Sequence, residues 1–80
     1  MKRLRHTAYQ YTAIFELNED NGYTVTVPSL PGLATEGKNL EDAKGMVQDA
    51  IRCYIQGLIR AKEDIPQERE VDQVRITVEV

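Results

Sequence analysis

The sequence contains very little of the chemistry on which cysteine-based and histidine-based sites depend. Cys53 is its single cysteine and His6 its single histidine among 80 residues. One cysteine cannot form an internal disulfide, which fits a reducing compartment and excludes a zinc site built from several cysteines. A lone histidine near a chain terminus is far more often a solvated side chain than a catalyst. We therefore expect no metal site and no cofactor.

The chain also lacks an excess of positive charge and a long apolar run. Its formal net charge is −3 and its pI is about 5.0, whereas a general nucleic-acid surface needs clustered cations. The acidic balance fits either solubility alone or a basic partner. No apolar run approaches ~20 residues, so no membrane span is expected, and the basic residues 1–6 are not followed by a secretory apolar core. The prediction is a single cytoplasmic domain over residues 1–80.

The chain is organised around residues 22–32, which read Gly-Tyr-Thr-Val-Thr-Val-Pro-Ser-Leu-Pro-Gly. From Tyr23 to Val27, apolar residues alternate with threonines, and this period of two predicts a strand with one buried face. Pro28 has no amide hydrogen to donate, so it ends the pairing. The remaining residues predict a rigid loop with a sharp turn, in which Leu30 is the large apolar anchor.

A second alternating pattern precedes this stretch, over residues 8–17. The polar residues 18–22 between the two patterns end in Asn-Gly, the strongest short hairpin signal. We therefore expect two antiparallel neighbouring strands, and residues 33–37 could return as a brief third strand. The residues predicted to face inward from the first strand are Tyr9, Tyr11, Ala13, Phe15 and Leu17.

One long amphipathic helix is predicted over residues 40–63. Asn39 is a favourable N-cap, and the acidic residues that follow it suit the positive end of the helix dipole. Met46, Cys53 and Gly57 form a secondary stripe beside the main apolar arc. This stripe either extends the core contact over a twisted sheet or provides a shallow interface for another chain.

A last alternating pattern occupies residues 74–80, after Pro66 has ended the helix. A right-handed crossover through the helix would return this strand parallel to the first one, in the spatial order 3-2-1-4. The predicted fold class is α+β, with the order β-β-(β)-α-β. It would contain a three- to four-stranded mixed sheet with one long helix packed on one face.

Signatures of catalysis are missing from the sequence. Ser29 lacks the G-x-S-x-G surroundings of a nucleophile elbow, and the glycines do not frame a phosphate loop. A mixed sheet with a helical crossover could carry a carboxylate nuclease site, for which Glu16, Asp49 and Glu79 are the candidates. Asp49 is predicted on the helix face that points away from the sheet, which opposes convergence. The sequence therefore predicts a protein that is not an enzyme, with no catalytic residues.

The arrangement of these motifs resembles the HicB-like antitoxin family over residues 9–66. The resemblance rests on the Gly-Tyr pair, the Pro-x-Leu-Pro-Gly loop, Thr35-x-Gly37 and the helix start Leu-Glu-Asp-Ala. Residues 11–15, 50–51, 54 and 65–66 extend it. The resemblance implies structural roles for the motif positions Gly22, Tyr23, Pro28, Leu30, Pro31, Gly32, Gly37, Glu41 and Ala43.

The same resemblance implies a partly RNase H-like fold without nuclease activity, in a prokaryotic type II toxin-antitoxin pair. Its implied partner is a HicA-type toxin, a small basic RNA-cleaving protein that family members mask, with no direct contact to nucleic acid or membrane. Many members continue into a C-terminal DNA-binding domain, and this sequence, which ends at Val80, is expected to lack it. Ser29 and Leu33 depart from residues common in the family, and both are compatible with the fold.

Two functions remain open from the sequence. The first is an antitoxin that binds and masks a HicA-type toxin, with Glu19, Asp20, Met46 and Cys53 as possible partner-binding residues, since an acidic antitoxin suits a basic toxin. The alternative is a stand-alone homo-oligomeric scaffold or regulatory protein, a dimer or tetramer without a toxin. Exposed strand edges such as residues 75–80 motivate this alternative, because they invite pairing between chains.

Overall fold

The computed structural model describes residues 8–68, 72 and 74–80, and these form a three-stranded sheet covered by one helix. The strands pair antiparallel in the order β1-β2-β3, and the helix α1 packs mainly over β3 and β2. The predicted α+β class and the long covering helix are therefore confirmed, and the third strand exists. The elements are β1 (Ile14–Leu17), β2 (Tyr23–Thr26), β3 (Ala34–Gly37) and α1 (Leu40–Arg60).

The turn between β1 and β2 is built by two asparagines. The side-chain oxygen of Asn18 accepts hydrogen bonds from the backbone amides of Asp20 and Gly22, both at 3.0 Å. Asn21 adopts a left-handed φ of 63°, which asparagine tolerates better than most residues. The turn thereby sets the hairpin register, in which Phe15 lies opposite Val25, as the Asn-Gly signal predicted.

The loop after β2 makes two successive turns around one buried side chain. The amide of Leu30 donates to the carbonyl of Val27 at 3.0 Å, and the amide of Leu33 donates to the carbonyl of Leu30 at 3.1 Å. Gly32 has a φ of 84°, a conformation that glycine adopts without steric cost. The Leu30 side chain is 0% exposed, and the Tyr54 hydroxyl donates to the carbonyl of Pro31 at 3.1 Å. The loop is thus fixed to the helix as well as to the sheet.

The helix begins where the sequence predicted. The Asn39 side chain accepts a hydrogen bond from the amide of Asp42 at 2.8 Å, and the Asp42 carboxylate accepts one from the amide of Lys38 at 2.9 Å. Together they form a reciprocal cap that satisfies otherwise unpaired amides. At the other end, the helix stops at Arg60 and the chain turns through Lys62, which has a φ of 57°. The helix is therefore three residues shorter than predicted.

Two glycines allow close approach of backbone segments. A Cβ atom on Gly37 would lie 2.4 Å from the backbone of Ala43, and a Cβ atom on Gly22 would lie 2.4 Å from the carbonyl oxygen of Gly37. Ala43 is itself 0% exposed. The first turns of the helix can therefore lie directly on β3 only because Gly37 lacks a side chain, whereas Gly22 allows the start of β2 to approach the end of β3. The buried core comprises Val25, Val27, Leu30, Leu33, Ala43, Val47 and Ile55.

Two predictions for the first strand were wrong at its ends. Residues 8–13 are not part of a strand, because β2 supplies only four pairing residues. Tyr9 and Leu17, which the alternation placed inside, are 42% and 67% exposed. The helix lies over β3 and β2, so an apolar side chain at the far end of β1 has nothing above it.

The predicted fourth strand is also not formed. Residues 74–80 belong to no strand and are exposed throughout, so the described sheet is antiparallel rather than mixed. An alternating sequence becomes a strand only where a neighbouring strand completes its hydrogen bonds. The described part of one chain does not offer residues 74–80 such a neighbour.

Candidate protein-interaction site

The described residues form no group of three or more histidine, cysteine, aspartate or glutamate side chains that could hold a metal ion. The three carboxylates considered for a nuclease site, at residues 16, 49 and 79, are therefore not brought together. Asp49 instead pairs with Arg52 at 2.9 Å on the exposed side of the helix. The Ser29 hydroxyl donates to Glu68 at 3.4 Å, and His6 lies outside the described residues.

The sheet face opposite the helix carries an acidic surface. Phe15 and Val25 point into the core, so the next residues along each strand point to the other side. Glu16 lies opposite Thr24, and Thr24 lies opposite Glu36, which places the two glutamates on either side of a threonine in one row. Both glutamates are exposed.

The β1–β2 turn continues this acidic surface at the end of the sheet. Glu19 and Asp20 are exposed at the tip of the turn, next to the strand end where Leu17 pairs with Tyr23. Neither carboxylate forms an ion pair among the described contacts. We call Glu16, Glu19, Asp20 and Glu36 the acidic face. Glu16 and Glu36 were not assigned to partner binding from the sequence, although strand alternation and register could have identified them.

Met46 and Cys53 do not join the acidic face. They lie on one side of α1, two turns apart, where Met46 is 46% exposed and Cys53 is exposed. The helix separates this side from the sheet face that bears the glutamates. The structure therefore divides the four predicted partner-binding residues between two surfaces, the acidic turn and the helix flank.

A groove of about 480 Å³ lies between the segment before β1 and the helix. Gly45, for which the sequence provided no structural reason, lines this groove, and a Cβ atom there would meet nothing within 4 Å. The sequence analysis did not identify this groove, because its two walls are distant along the chain. Its lining residues are Tyr11, Ala13, Glu41, Lys44, Gly45, Val47, Gln48 and Ile51.

The chain after the helix returns to the segment before β1. The Tyr11 hydroxyl donates to the carbonyl of Pro66. The backbone amide and the hydroxyl of Thr12 each donate to a different carboxylate oxygen of Glu68, the hydroxyl at 2.7 Å. These contacts advance in the same direction along both segments, so residues 66–68 run parallel to the segment before β1. The predicted parallel strand over residues 74–80 takes no part in these contacts.

The surroundings of Glu68 and Tyr11 shift the pKa values of these two side chains in opposite directions. The amide and hydroxyl of Thr12 stabilise the charged carboxylate and hold the pKa of Glu68 below its usual value. Burial, with the neighbouring Tyr9 and Glu68, raises the pKa of Tyr11. A carboxylate with a lowered pKa stabilises the fold above its unfolded-state pKa, and this stabilisation is lost as the pH falls through the folded-state value.

Acidification is therefore expected to release the returning segment. As Glu68 becomes protonated, the Thr12 amide loses a charged acceptor, so its protection factor, which is the intrinsic exchange rate at each pH divided by the observed rate, should fall, measured by NMR in wild type and in Glu68→Gln. Glu68→Gln should show a low protection factor already at neutral pH and little further change on acidification. Glu63→Gln, which alters an exposed acid outside these contacts, is the control. Unchanged Thr12 exchange in Glu68→Gln would contradict the contact.

The fold and its surfaces define a class: a small α+β domain with an acidic sheet face and no catalytic group that we can identify among the described residues. Comparison with known proteins then shows the family. Residues 11–80 match the sequence pattern of a family described as "HicB_like antitoxin of bacterial toxin-antitoxin system". The chain belongs to this family of HicB-like antitoxins.

Individual relatives are consistent with this membership. The chain is 42% identical to a UPF0150 protein of Thermoplasma acidophilum over 59 residues, which are 74% of this chain and 86% of that protein. It is 35% identical to a UPF0150 protein of Synechocystis over 60 residues, 75% of this chain and 76% of that one. An uncharacterized 14.9 kDa protein of Haemophilus phage HP1 is 32% identical over 68% of this chain, but only 41% of its own length. No solved structure matches the chain significantly. In the described residues, no helix is long and apolar enough to cross a membrane.

Proposed function

We propose that the protein is a non-catalytic antitoxin that binds and masks a HicA-type, RNA-cleaving toxin in the cytoplasm. The observation that carries the proposal is the family match over residues 11–80. The three antiparallel strands followed by one helix also suit the partly RNase H-like fold implied by the family resemblance. Masking needs a stable complex rather than chemistry, and the protein would act by occupying the surface that the toxin uses on RNA.

The acidic face is the proposed toxin contact. It presents four carboxylates, and no lysine or arginine lies in the described strands or in the turn between β1 and β2. A toxin that binds RNA carries cations for the phosphate backbone, and the same cations would meet the acidic face. Complementary charge of this kind raises the association rate and disfavours wrong partners. Met46 and Cys53 are proposed as a second, apolar contact on the helix flank.

The expected result is that reversing charge on the acidic face weakens toxin binding. The double variant Glu19→Lys, Glu36→Lys should bind a HicA-type toxin with an association rate lower by about tenfold or more at low salt. Binding is measured by stopped-flow fluorescence or surface plasmon resonance, with a catalytically inactive toxin. The difference between wild type and variant should shrink as salt increases, because salt screens exposed charges.

A matched control carries the same change of charge elsewhere. Glu63→Lys, Asp64→Lys alters two exposed acids beyond the end of the helix and should leave the association rate within about twofold of wild type. Equal effects of the two double variants would place the contact elsewhere. The antitoxin assignment itself is tested by co-expression: failure of the wild-type protein to relieve toxin-induced growth arrest and RNA cleavage would contradict it.

The stand-alone homo-oligomeric alternative has an observation of its own in its favour. Large apolar side chains are exposed in residues 74–80, a pattern that suits assembly between copies of the chain. Self-association without toxin, together with no binding to any neighbouring toxin, would favour this alternative over the antitoxin.

A further inference from the structure

The hydrogen-bond pattern of the hairpin determines which backbone groups of the sheet point outward. The amide of Asn18 donates to the carbonyl of Gly22 at 2.9 Å, and such hydrogen-bonded pairs recur at every second residue of an antiparallel ladder. Counted from this pair along the register of the two strands, the even-numbered residues of β2 direct their amides and carbonyls to β1. The odd-numbered residues Tyr23 and Val25 therefore direct theirs to β3.

The outer edge of β3 is open among the described residues. Thr35 and Gly37 lie opposite the odd-numbered residues of β2, so their backbone groups bond to that strand. The amides and carbonyls of Ala34 and Glu36 point the other way, and both residues are exposed. The described sheet places no second strand beside β3. A row of outward donors and acceptors of this kind is a template for pairing with a strand of another chain.

The helix flank that carries Met46 and Cys53 lies on the same side as this edge. Glu41, Lys44 and Gln48 line the groove on the β1 side of α1. Helical spacing of about 100° per residue places Met46 and Cys53 on the opposite side of the helix, which is the side of β3. Because α1 packs more on β3 than on β2, this flank lies over the outer edge of the sheet.

The flank also extends along the length of β3. Ala43 lies against Gly37 at the end of the strand, and Tyr54 bonds to the loop before its start. Met46, which is 46% exposed, and the exposed Cys53 come between these two helix residues. Methionine and free cysteine both behave as apolar, adaptable packing residues. A strand added to β3 would therefore have an apolar surface over one of its faces.

The other face of the same edge is acidic. Glu36 is exposed on the sheet face that points away from the helix, in one row with Thr24 and Glu16. Successive side chains of a strand point to opposite faces, so a strand paired with β3 would direct one set toward Glu36 and the other toward Met46. Opposite charges placed directly across two strands stabilise the pairing. The edge therefore suits a segment in which cationic and apolar residues alternate.

We propose that the outer edge of β3 binds an extended segment of the toxin, in which lysine or arginine alternates with apolar residues, as an additional strand of the sheet. The segment pairs through its backbone with Ala34 and Glu36, and its cations face Glu36. Its apolar side chains lie against Met46 and Cys53. In such strand addition, main-chain hydrogen bonds give affinity and alternate side chains give specificity. The proposal rests on the antitoxin function and joins the acidic face and the helix flank into one site.

Removal of one outward amide tests the main-chain pairing. Ala34→Pro removes an amide that points away from β2, a position at which an edge strand tolerates proline. The variant should raise the Kd for a catalytically inactive HicA-type toxin by about tenfold or more in surface plasmon resonance, because a partner carbonyl loses its donor. Ala34→Val keeps the amide, and Leu17→Pro removes an outward amide from the opposite edge, on β1. Both should bind within about threefold of wild type, and circular dichroism checks the folding of each variant.

A charge on the helix flank tests the apolar cover. Met46→Asp should raise the same Kd by about fivefold or more, because the added strand would bury the new carboxylate without a partner. Ile59→Asp is the matched control, since Ile59 is 56% exposed and helical spacing places it on the side of Gln48. It should leave the Kd within about threefold of wild type.

Amide hydrogen exchange, measured by NMR, locates the contact without any substitution. In the toxin complex, the amides of Ala34 and Glu36 should become protected by about tenfold or more, whereas those of Phe15 and Leu17 on the opposite edge should not change. A synthetic peptide of about six residues, the length of an ordinary strand, that alternates lysine with valine should protect the same two amides. A peptide that alternates glutamate with valine should not.

A toxin complex in which the amides of Ala34 and Glu36 stay unprotected would overturn strand addition and leave the antitoxin function standing. Equal toxin binding by Ala34→Pro and Ala34→Val would do the same. Protection of the two amides by rising concentrations of the protein alone would assign the edge to a second copy, and this would also overturn the proposal. If neither the toxin nor the lysine–valine peptide binds, both strand addition and the antitoxin function are contradicted. Protection by the peptide without any binding of toxin would support the edge as a strand-binding site and contradict the antitoxin function alone.

Discussion

Replacing Gly37 by alanine should lower the free energy of unfolding by about 1–3 kcal/mol or more, the range for forcing extra atoms into a packed interior. The new Cβ atom would lie 2.4 Å from the backbone nitrogen and Cα of Ala43. Real Cβ atoms do not approach backbone so closely, so the helix would have to move away from β3. Gly22→Ala should act similarly, since its Cβ would lie 2.4 Å from the Gly37 carbonyl oxygen. Urea denaturation followed by circular dichroism measures both.

Two other glycines of the same chain provide matched controls. Gly45 and Gly57 lie within the helix, and a Cβ atom at either would meet nothing within 4 Å. Alanine at either position should therefore stabilise the protein by about 0.5–1 kcal/mol, because it restricts the unfolded chain and favours the helix. If Gly37→Ala and Gly45→Ala shifted stability in the same direction, the direct packing of the helix on β3 would be contradicted.

Local features of this fold could be predicted from the sequence because neighbouring residues determine them. Asn39 caps the helix through the amide of Asp42, three residues away, and the turn after β1 is closed by the side chain of Asn18 within five residues. Alternation identified β1 and β2, although their ends depend on how many residues the neighbouring strand supplies, and the short third strand was left as a possibility. These contacts need no knowledge of the rest of the chain.

The remaining features depend on contacts between distant residues. Two such contacts join separate segments: Gly37 lies against Ala43, and Glu68 contacts Thr12. A periodic sequence pattern cannot predict contacts of this kind. Only half of the acidic face could be identified from the sequence. Glu19 and Asp20 are neighbours in one turn, whereas Glu16 and Glu36 are placed in one row only by the register of the strands. In residues 74–80 the alternating pattern predicted a strand that the described residues do not form.

Leu30→Ala should lower the free energy of unfolding by about 2–5 kcal/mol, the usual cost of truncating a buried leucine and leaving a cavity. Leu30 is 0% exposed and belongs to the core cluster together with Val27 and Leu33. It is also the large side chain that holds the loop between β2 and β3 against the interior. Its loss should therefore weaken the connection that places β3 beneath the helix.

The same substitution at an exposed leucine separates burial from side-chain type. Leu17 lies at the end of β1 and is 67% exposed, so Leu17→Ala should change stability by less than about 0.5 kcal/mol, as surface substitutions usually do. Both variants are measured at low micromolar protein concentration, so that association of copies does not add to stability. A loss below about 1 kcal/mol for Leu30→Ala, with an unchanged denaturant slope, would contradict the burial of Leu30. It would also contradict the role of Leu30 in holding the seven-residue loop between β2 and β3 against the core.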